Sequence, residues 1–180
     1  MWTFATRADH LSSTRTWIFS RVDYDLLYRH FTRSLDAVNE GPVEDFDLFI
    51  ANSVLWVCIL DEALSRGLGE PYTAARDADP DGRVLGPLRL ARNAITHGQA
   101  FALDDGRPWP EVAPNVVHPR VWKFYGWLIE DGWNPPGARS EKHRKLAEIY
   151  DEEIAGTNIG SPLWRVREWL EGLAARGWAA

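Results

Sequence analysis

The sequence predicts an all-α fold: a helical bundle of long antiparallel helices followed by an irregular Pro- and Trp-rich C-terminal elaboration. Apolar residues recur at helical spacing over several long segments. Glycines and prolines separate these segments, and no segment has the alternation typical of a strand. A length of 180 residues favours one domain. We expect its core to span about 12–103 and the elaboration 104–180.

The first predicted helix begins at residue 12 or 13, runs to 38, and ends before Gly41-Pro42. Asp25, Arg29 and Arg33 occupy its polar face. Its apolar face consists of Trp17, Tyr24, Leu27, Tyr28, Phe31, Leu35 and Val38. One apolar stripe opposite a charged face is typical of a helix that lies on the surface of a bundle.

The second predicted helix, about 45–66, is apolar nearly all round and ends at Gly67. A helix without a polar face must be buried on most sides, so we expect it at the centre of the bundle. A polar loop is predicted from 70 to 82, where prolines and aspartates are frequent.

The third predicted helix, 85–99, is clearly amphipathic. At about 100° per residue, two opposite arcs form. The apolar arc contains Leu88, Leu90, Ala91, Ala94, Ile95 and Gly98, and the polar arc contains Arg89, Arg92, Asn93, Thr96 and His97. Small residues at the centre of the apolar arc favour close packing on the second helix. The polar arc lacks Glu and Lys, which are the usual residues of a solvated face.

The C-terminal elaboration differs from the core in composition and in the length of its predicted helices. Its first part, 104–119, is an irregular connection stiffened by prolines. A short aromatic helix is predicted over 121–131, ending at Gly132. Ser140 can cap a helix that runs to about 155 and stops at Gly156. Ser161 followed by Pro162 predicts the start of a last helix to about 176.

Composition excludes several classes of protein. A net charge of −6 argues against strong non-specific nucleic-acid binding, although a small basic cleft remains compatible with it. The single cysteine, Cys58, lies in an apolar run and is expected to be a core thiol. We find no signal peptide and no run of 18 apolar residues, which predicts a cytoplasmic protein without a membrane anchor. No Gly-rich phosphate loop, nucleophile elbow or dinucleotide fingerprint is present, so no cofactor is expected.

The candidate chemistry lies in the segment from Arg92 to His97. Arginine is a permanent cation that matches phosphate geometry, and histidine can both take and give a proton near neutral pH. Arg92 and His97 lie about 140° apart around one helix, so they cannot grip one small group together. They can flank an elongated substrate or act across a pair of helices.

This segment resembles the signature helix of the HEPN superfamily, whose motif is an arginine, a polar residue and, after a short spacer, a histidine. The resemblance covers about 12–103, and Arg92, Asn93 and His97 match the motif. It implies an α-helical homodimer in which two motif helices form one composite cleft. Many such proteins are metal-independent ribonucleases, including toxins of toxin–antitoxin and phage-defence systems, whereas others are inactive nucleotide- or protein-binding modules.

Other polar residues are weaker candidates. Asp61 lies on the apolar side of the second helix, where a carboxylate needs a partner. Either Arg92 or Arg89 pairs with it, or it marks a wet helix end, and the sequence does not distinguish these. Glu62 is a weaker candidate for the same kind of pairing with an arginine. We expect solvated positions for His10 and His30, a loop position for His118, a charged helix face around His143, and no metal site in 151–153.

Three functional hypotheses follow. The first is a metal-independent RNA endonuclease: His97 acts as general acid and base, Arg92 stabilises charge on the phosphate, Asn93 positions it, and the 2′-hydroxyl attacks. Asp61, Arg89 and Thr96 would support this site, and an antitoxin protein would be a possible partner. The second is an inactive module that binds a nucleotide or protein. The third is a structural dimeric adaptor that uses exposed tryptophans.

Overall fold

A computed structural model describes residues 23–40, 45–98, 100–103, 120–135, 137–138 and 140–175. This part of the chain is mostly helical, which confirms the all-α prediction. Its helices are α1 (Tyr24–Glu40), α2 (Phe46–Leu68), α3 (Glu70–Ala78), α4 (Leu85–Thr96), α5 (Tyr125–Glu130), α6 (Glu141–Glu153) and α7 (Ser161–Ala175). The predicted start of the first helix and the connection 104–119 lie outside the described residues.

Helix α2 is central to the bundle, as predicted, but it is not buried on most sides, since Leu48 and Leu55 are exposed. It packs against α1, α3 and α4. Its buried side chains include Ile50, Val54, Val57 and Leu60, which join those of α1 and α4 in one hydrophobic core. The same core contains Trp122 and the buried apolar residues of α6 and α7. The C-terminal helices therefore pack directly onto the bundle.

The end of α2 and the segment after it differ from the prediction. Gly67 lies within α2, and the helix ends before Gly69, whose φ of 69° is accessible to glycine at little cost. The predicted polar loop is largely helix α3, which has Pro71 in its first turn and a fully buried Tyr72. Burial of the Tyr72 ring offsets the poor helix propensity of this polar segment.

Helix α4 is shorter than predicted, because it ends at Thr96. Gly98 has a φ of 70°, the left-handed conformation that commonly ends a helix. It is exposed, so it does not belong to the buried apolar face of α4. His97 consequently lies just beyond the last helical residue. The backbone amides of His97 and Gly98 donate to the carbonyls of Ala94 and Ile95, which tightens this last turn.

A small sheet corrects the expectation of no strands. Strand β1 (Phe101–Leu103) pairs antiparallel with β2 (Arg120–Trp122), and α5 begins only at Tyr125. Each strand has three residues, too few for an alternating pattern to show. The predicted cap of α6 is confirmed, since Ser140 Oγ accepts from the His143 amide at 3.2 Å. The last helix, α7, begins at Ser161 as expected.

By length and composition alone, α2 is apolar enough to cross a membrane. A core helix of a soluble protein passes the same test. The packing of α2 against three other helices agrees with that second explanation.

Candidate functional site

The outward face of α4 carries the residues that the sequence singled out. Arg89, Arg92 and Asn93 are partly exposed, and Thr96 and His97 are exposed. The opposite face is buried and consists of Leu88, Leu90, Ala91 and Ala94. The amphipathic character predicted for this helix is thus confirmed, and its polar side chains reach solvent from a rigid, buried support.

Asp61 is fully buried and neutralised, which excludes the alternative of a wet helix end. Arg89 Nη2 lies 2.6 Å from Asp61 Oδ2. Arg76 Nη1 lies 3.0 and 3.2 Å from the two Asp61 oxygens, and the Tyr72 hydroxyl donates to Oδ1 at 3.0 Å. Of the two partners considered for Asp61, Arg89 is therefore the one that the structure selects. Helices α2, α3 and α4 are joined at this carboxylate.

Tyr72 and Arg76 were missed by the sequence analysis because their segment was predicted as a loop. They are four residues apart on α3 and so project toward the same neighbour. Burial and the adjacent Asp61 carboxylate raise the pKa of Tyr72, which keeps the hydroxyl protonated and able to donate. Burial opposes the charge on Arg76, but Asp77 and Asp61 outweigh it and raise the pKa of Arg76.

Arg92 has a different environment from Arg89. Its Nη1 lies 3.4 Å from Glu62 Oε1, and both side chains are about one-third exposed. Glu62 also approaches Arg66 Nη2, at 3.5 Å. Pairs this long and this exposed contribute little stability. The Arg92 guanidinium can therefore exchange Glu62 for another anion, whereas Arg89 is held by a buried carboxylate.

The other residues of the polar arc, Asn93, Thr96 and His97, form few polar contacts with the described chain. Thr96 Oγ1 donates to the Asn93 carbonyl at 2.7 Å, a local bond within the last turn of the helix. Between the described residues there is no side-chain hydrogen bond or ion pair of Asn93 or His97. The structure thus presents Arg92, Asn93 and His97 to solvent along one helix without joining His97 to Arg92.

Two histidines that were expected on solvated faces are packed. His143 is buried, and its Nε2 lies 2.8 Å from the Tyr125 hydroxyl. Burial lowers the pKa of His143 and so favours its neutral form. The His30 ring is partly buried and stacks on Trp56 with ring centroids 4.4 Å apart. In each case an aromatic ring from another element covers the imidazole. His10 and His118 lie outside the described residues.

Several further residues match or refine the expectations. Cys58 is buried, and this burial raises its pKa to about 12, as suits an inert core thiol. Trp122 and Trp133 are buried, whereas Trp127 is 45% exposed. Trp2, Trp109 and Trp178 lie outside the described part of the chain. Asp151 Oδ1 accepts from the Tyr125 amide at 2.6 Å, and Glu153 pairs with arginines, so both carboxylates have structural partners.

Within the described residues, no group of three His, Cys, Asp or Glu side chains is placed to hold a metal ion. The chain matches no protein-family model, no curated protein and no solved structure. The geometry of the site and the resemblance of its motif are therefore the grounds on which a function can be proposed.

Proposed function

We propose that this protein is a HEPN-like, metal-independent RNA endonuclease. The observation that carries the proposal is the outward face of α4, on which Arg92, Asn93 and His97 reach solvent. Behind them, Arg89 and Asp61 tie the helix into the core. A rigid helix that presents a cation, an amide and an imidazole suits phosphate binding combined with proton transfer.

The proposed reaction uses the RNA's own 2′-hydroxyl. The 2′-oxygen attacks the adjacent phosphorus and loses its proton to a base, while the bond from phosphorus to the 5′-oxygen breaks. The products are a cyclic 2′,3′-phosphate and a 5′-hydroxyl that has received a proton. His97 would act in this proton transfer, Arg92 would bind the charged phosphate oxygens, and Asn93 would position them. DNA lacks the 2′-hydroxyl and should not be cleaved.

A homodimer would complete such a site. Arg92 lies on α4 and His97 just beyond its last residue, and the structure does not join the two side chains, so an arginine from one copy would act with a histidine from the other. The solvent face of α2 supports this interface, because Leu48 is 56% and Leu55 40% exposed on the same side as Glu62. Exposed leucines one heptad apart form an apolar stripe suited to a second helix.

Light scattering at micromolar concentration tests the dimer. Wild-type protein should have twice the mass of one chain. Leu48→Glu/Leu55→Glu should be monomeric and inactive, since it places charge in the apolar contact. Leu26→Glu, at an exposed leucine of α1, is the matched control and should remain dimeric. A monomeric wild-type protein would contradict the composite site.

Cleavage of labelled single-stranded RNA by purified protein, with and without EDTA, tests the chemistry. We expect activity to survive EDTA and to fall about 10²–10⁴-fold in His97→Ala. Arg92→Lys should also impair cleavage, because a point charge cannot reproduce the bidentate grip of a guanidinium. Arg33→Lys, at an exposed position on α1, is the matched control. Undiminished cleavage by His97→Ala would place the site elsewhere.

A second candidate function is an inactive module that binds a nucleotide or a protein. The pairing of Arg89 with Asp61 and of Arg92 with Glu62 favours it, because both guanidinium groups already face carboxylates. RNA binding without cleavage by the wild-type protein would select this candidate. A structural adaptor that uses exposed tryptophans would be indifferent to changes at both Arg92 and His97.

The setting that we propose is the bacterial cytoplasm, where the protein would act as a toxin or phage-defence ribonuclease on cellular or phage RNA. An antitoxin protein would then be its natural partner. Co-expression with the neighbouring gene products, followed by co-purification, tests that assignment. Relief of growth arrest by a co-purifying neighbour would support it.

A further inference from the structure

Helix α6 carries a group of cations that differ from those of the core. Lys142, Arg144 and Lys145 are exposed, and their side chains have no hydrogen bond or ion pair with any other described residue. In contrast, the buried or half-buried arginines of the bundle face carboxylates, as Arg76, Arg89 and Arg165 do. Unpaired cations keep their charge available for an anionic partner.

Two aromatic rings contact each other at the start of the neighbouring helix α5. Phe124 and Trp127 have ring centroids 5.1 Å apart and lie edge to face. Phe124 packs against the core, whereas Trp127 is 45% exposed. Trp127 is thus supported by a second ring and has indole surface open to solvent.

Helix α6 contacts both α5, which carries Trp127, and the first turn of α4, the helix of the candidate site. On one side, Tyr125 is joined to α6 by its hydroxyl, 2.8 Å from His143 Nε2, and by its amide, 2.6 Å from Asp151 Oδ1. On the other side α6 packs against α4, where a Cβ at Gly86 would lie 3.2 Å from Leu146 Cδ2. The three helices therefore form one contiguous part of the molecule.

We propose that the first two turns of α6, together with Trp127 of α5, bind single-stranded RNA beside the motif face of α4. The cations would hold phosphates and the indole would stack on a base, which is the combination that binds single strands without sequence preference. This inference deepens the proposed function and rests on it, because it supplies a path for the rest of the substrate. The positive charge is confined to the first two turns of α6, because the whole helix carries three Lys or Arg and five Asp or Glu residues.

Binding of a fluorescent 20-nucleotide 2′-O-methyl RNA tests the surface, because this RNA cannot be cleaved through its 2′-oxygen. Lys142→Ala/Lys145→Ala should weaken binding and lower the slope of log K against log salt by about 0.7 for each phosphate that is no longer neutralised. Trp127→Ala should weaken binding roughly 5- to 150-fold, the range expected when one base can no longer stack. Arg33→Ala and Leu26→Ala, both exposed on α1, are the matched controls and should bind as wild type.

The assay also separates this proposal from the nuclease proposal. Cleavage of a trinucleotide, which offers few phosphates and bases to this surface, should be equal in wild type and in all four variants if the surface only binds the substrate. Suppose that wild-type protein binds the 2′-O-methyl RNA through these residues but does not cleave RNA. That result would support the binding surface and contradict the nuclease proposal. Equal affinities of the α6, α5 and α1 variants, or tighter binding of duplex than of single-stranded RNA, would overturn the surface.

Discussion

Asp61 and Glu153 are more buried than Glu62, and each of them bridges two arginines; the comparison between these two carboxylates separates stability from function. Asp61 of α2 joins Arg76 and Arg89, and its side chain is fully buried. Glu153 at the end of α6 joins Arg83 and Arg165, and its side chain is 15% exposed. The two clusters have the same chemistry but different access to water.

The difference lies in what surrounds each carboxylate. Asp61 is buried and has a third donor, the Tyr72 hydroxyl. Arg76 also pairs with Asp77 at 2.8 Å, whereas Asp61 is the one ion-pair partner of Arg89 among the described residues. Around Glu153, Arg165 also pairs with Asp81 at 2.7 Å, and the Arg83 side chain is 40% exposed. Removal of Glu153 therefore leaves its arginines with other acceptors. Arg89 of the Asp61 cluster lies on α4 itself, so this cluster links fold stability to the candidate site.

The largest effect is expected for Asp61→Ala, which should lower the free energy of unfolding by about 3–5 kcal/mol. The reason is that this change removes the buried carboxylate to which Arg89, Arg76 and the Tyr72 hydroxyl all bind, and leaves Arg76 only its pair with Asp77. Denaturant unfolding measures it, with Glu148→Ala as the control because Glu148 is exposed and has no described partner. An effect of Asp61→Ala as small as that of the control would refute the structural role assigned to the buried pair.

A smaller loss, about 2 kcal/mol, is expected for Glu153→Ala, since Arg83 and Arg165 can turn to water or to other acceptors. Burial raises the pKa of Glu153, but the hydrogen bonds from Arg83 and Arg165 outweigh it and lower that pKa. The stabilisation by Glu153 is thus present above its ordinary pKa of 4.5 and is lost as the pH falls through the lowered folded value. Unfolding curves of Glu153→Gln between pH 3 and 7 should show a flatter acid limb than wild type, and an unchanged limb would contradict this assignment.

The Tyr72→Phe change should cost about 1 kcal/mol, because Asp61 loses one of its donors but keeps both arginines. Urea unfolding of Tyr72→Phe measures this cost. The same change made in the Asp61→Ala background should be nearly neutral, since the acceptor is then absent. Equal costs in the two backgrounds would show that the hydroxyl acts through something other than Asp61.

The smallest effect on stability is expected for Glu62→Ala, within about 0.5 kcal/mol, because the Arg92–Glu62 pair is long and partly exposed. Glu62 is the sequence neighbour of Asp61, yet it points about 100° away around α2. If Arg92 binds phosphate, removal of Glu62 should tighten binding of the 2′-O-methyl RNA. Anisotropy titration checks this, and weaker binding would mean that Glu62 positions Arg92 instead of competing for it.

Much of the fold was accessible from local patterns. The faces of α4, the central place of α2 and the Ser140 cap all depend on periodicity or on a side chain next to a helix end. Such features involve residues within about one or two turns of each other, so the sequence displays them directly. The three motif residues of α4 were found in the same way, although their function stays a proposal.

Long-range contacts decided the rest. Segment 70–78 is helical because Tyr72 and Arg76 have a buried partner 11 and 15 residues earlier, and no local pattern reveals that partner. His143 was predicted on a charged helix face, whereas in the structure its ring contacts the Tyr125 hydroxyl, 18 residues away in the chain. The short strands exist only because they pair with each other.

By itself, the sequence determined the helical class, the two-faced α4 and the exposure of Arg92, Asn93 and His97 on it, because helical periodicity sorts side chains into faces. Only the tertiary structure decided which arginine Asp61 holds. Arg89 and Arg92 both lie one helix away from that carboxylate, and the choice depends on how α4 is rotated against α2. That rotation places Arg92 beside Glu62, whose side chain is about one-third exposed, because the buried carboxylate is already occupied by Arg89.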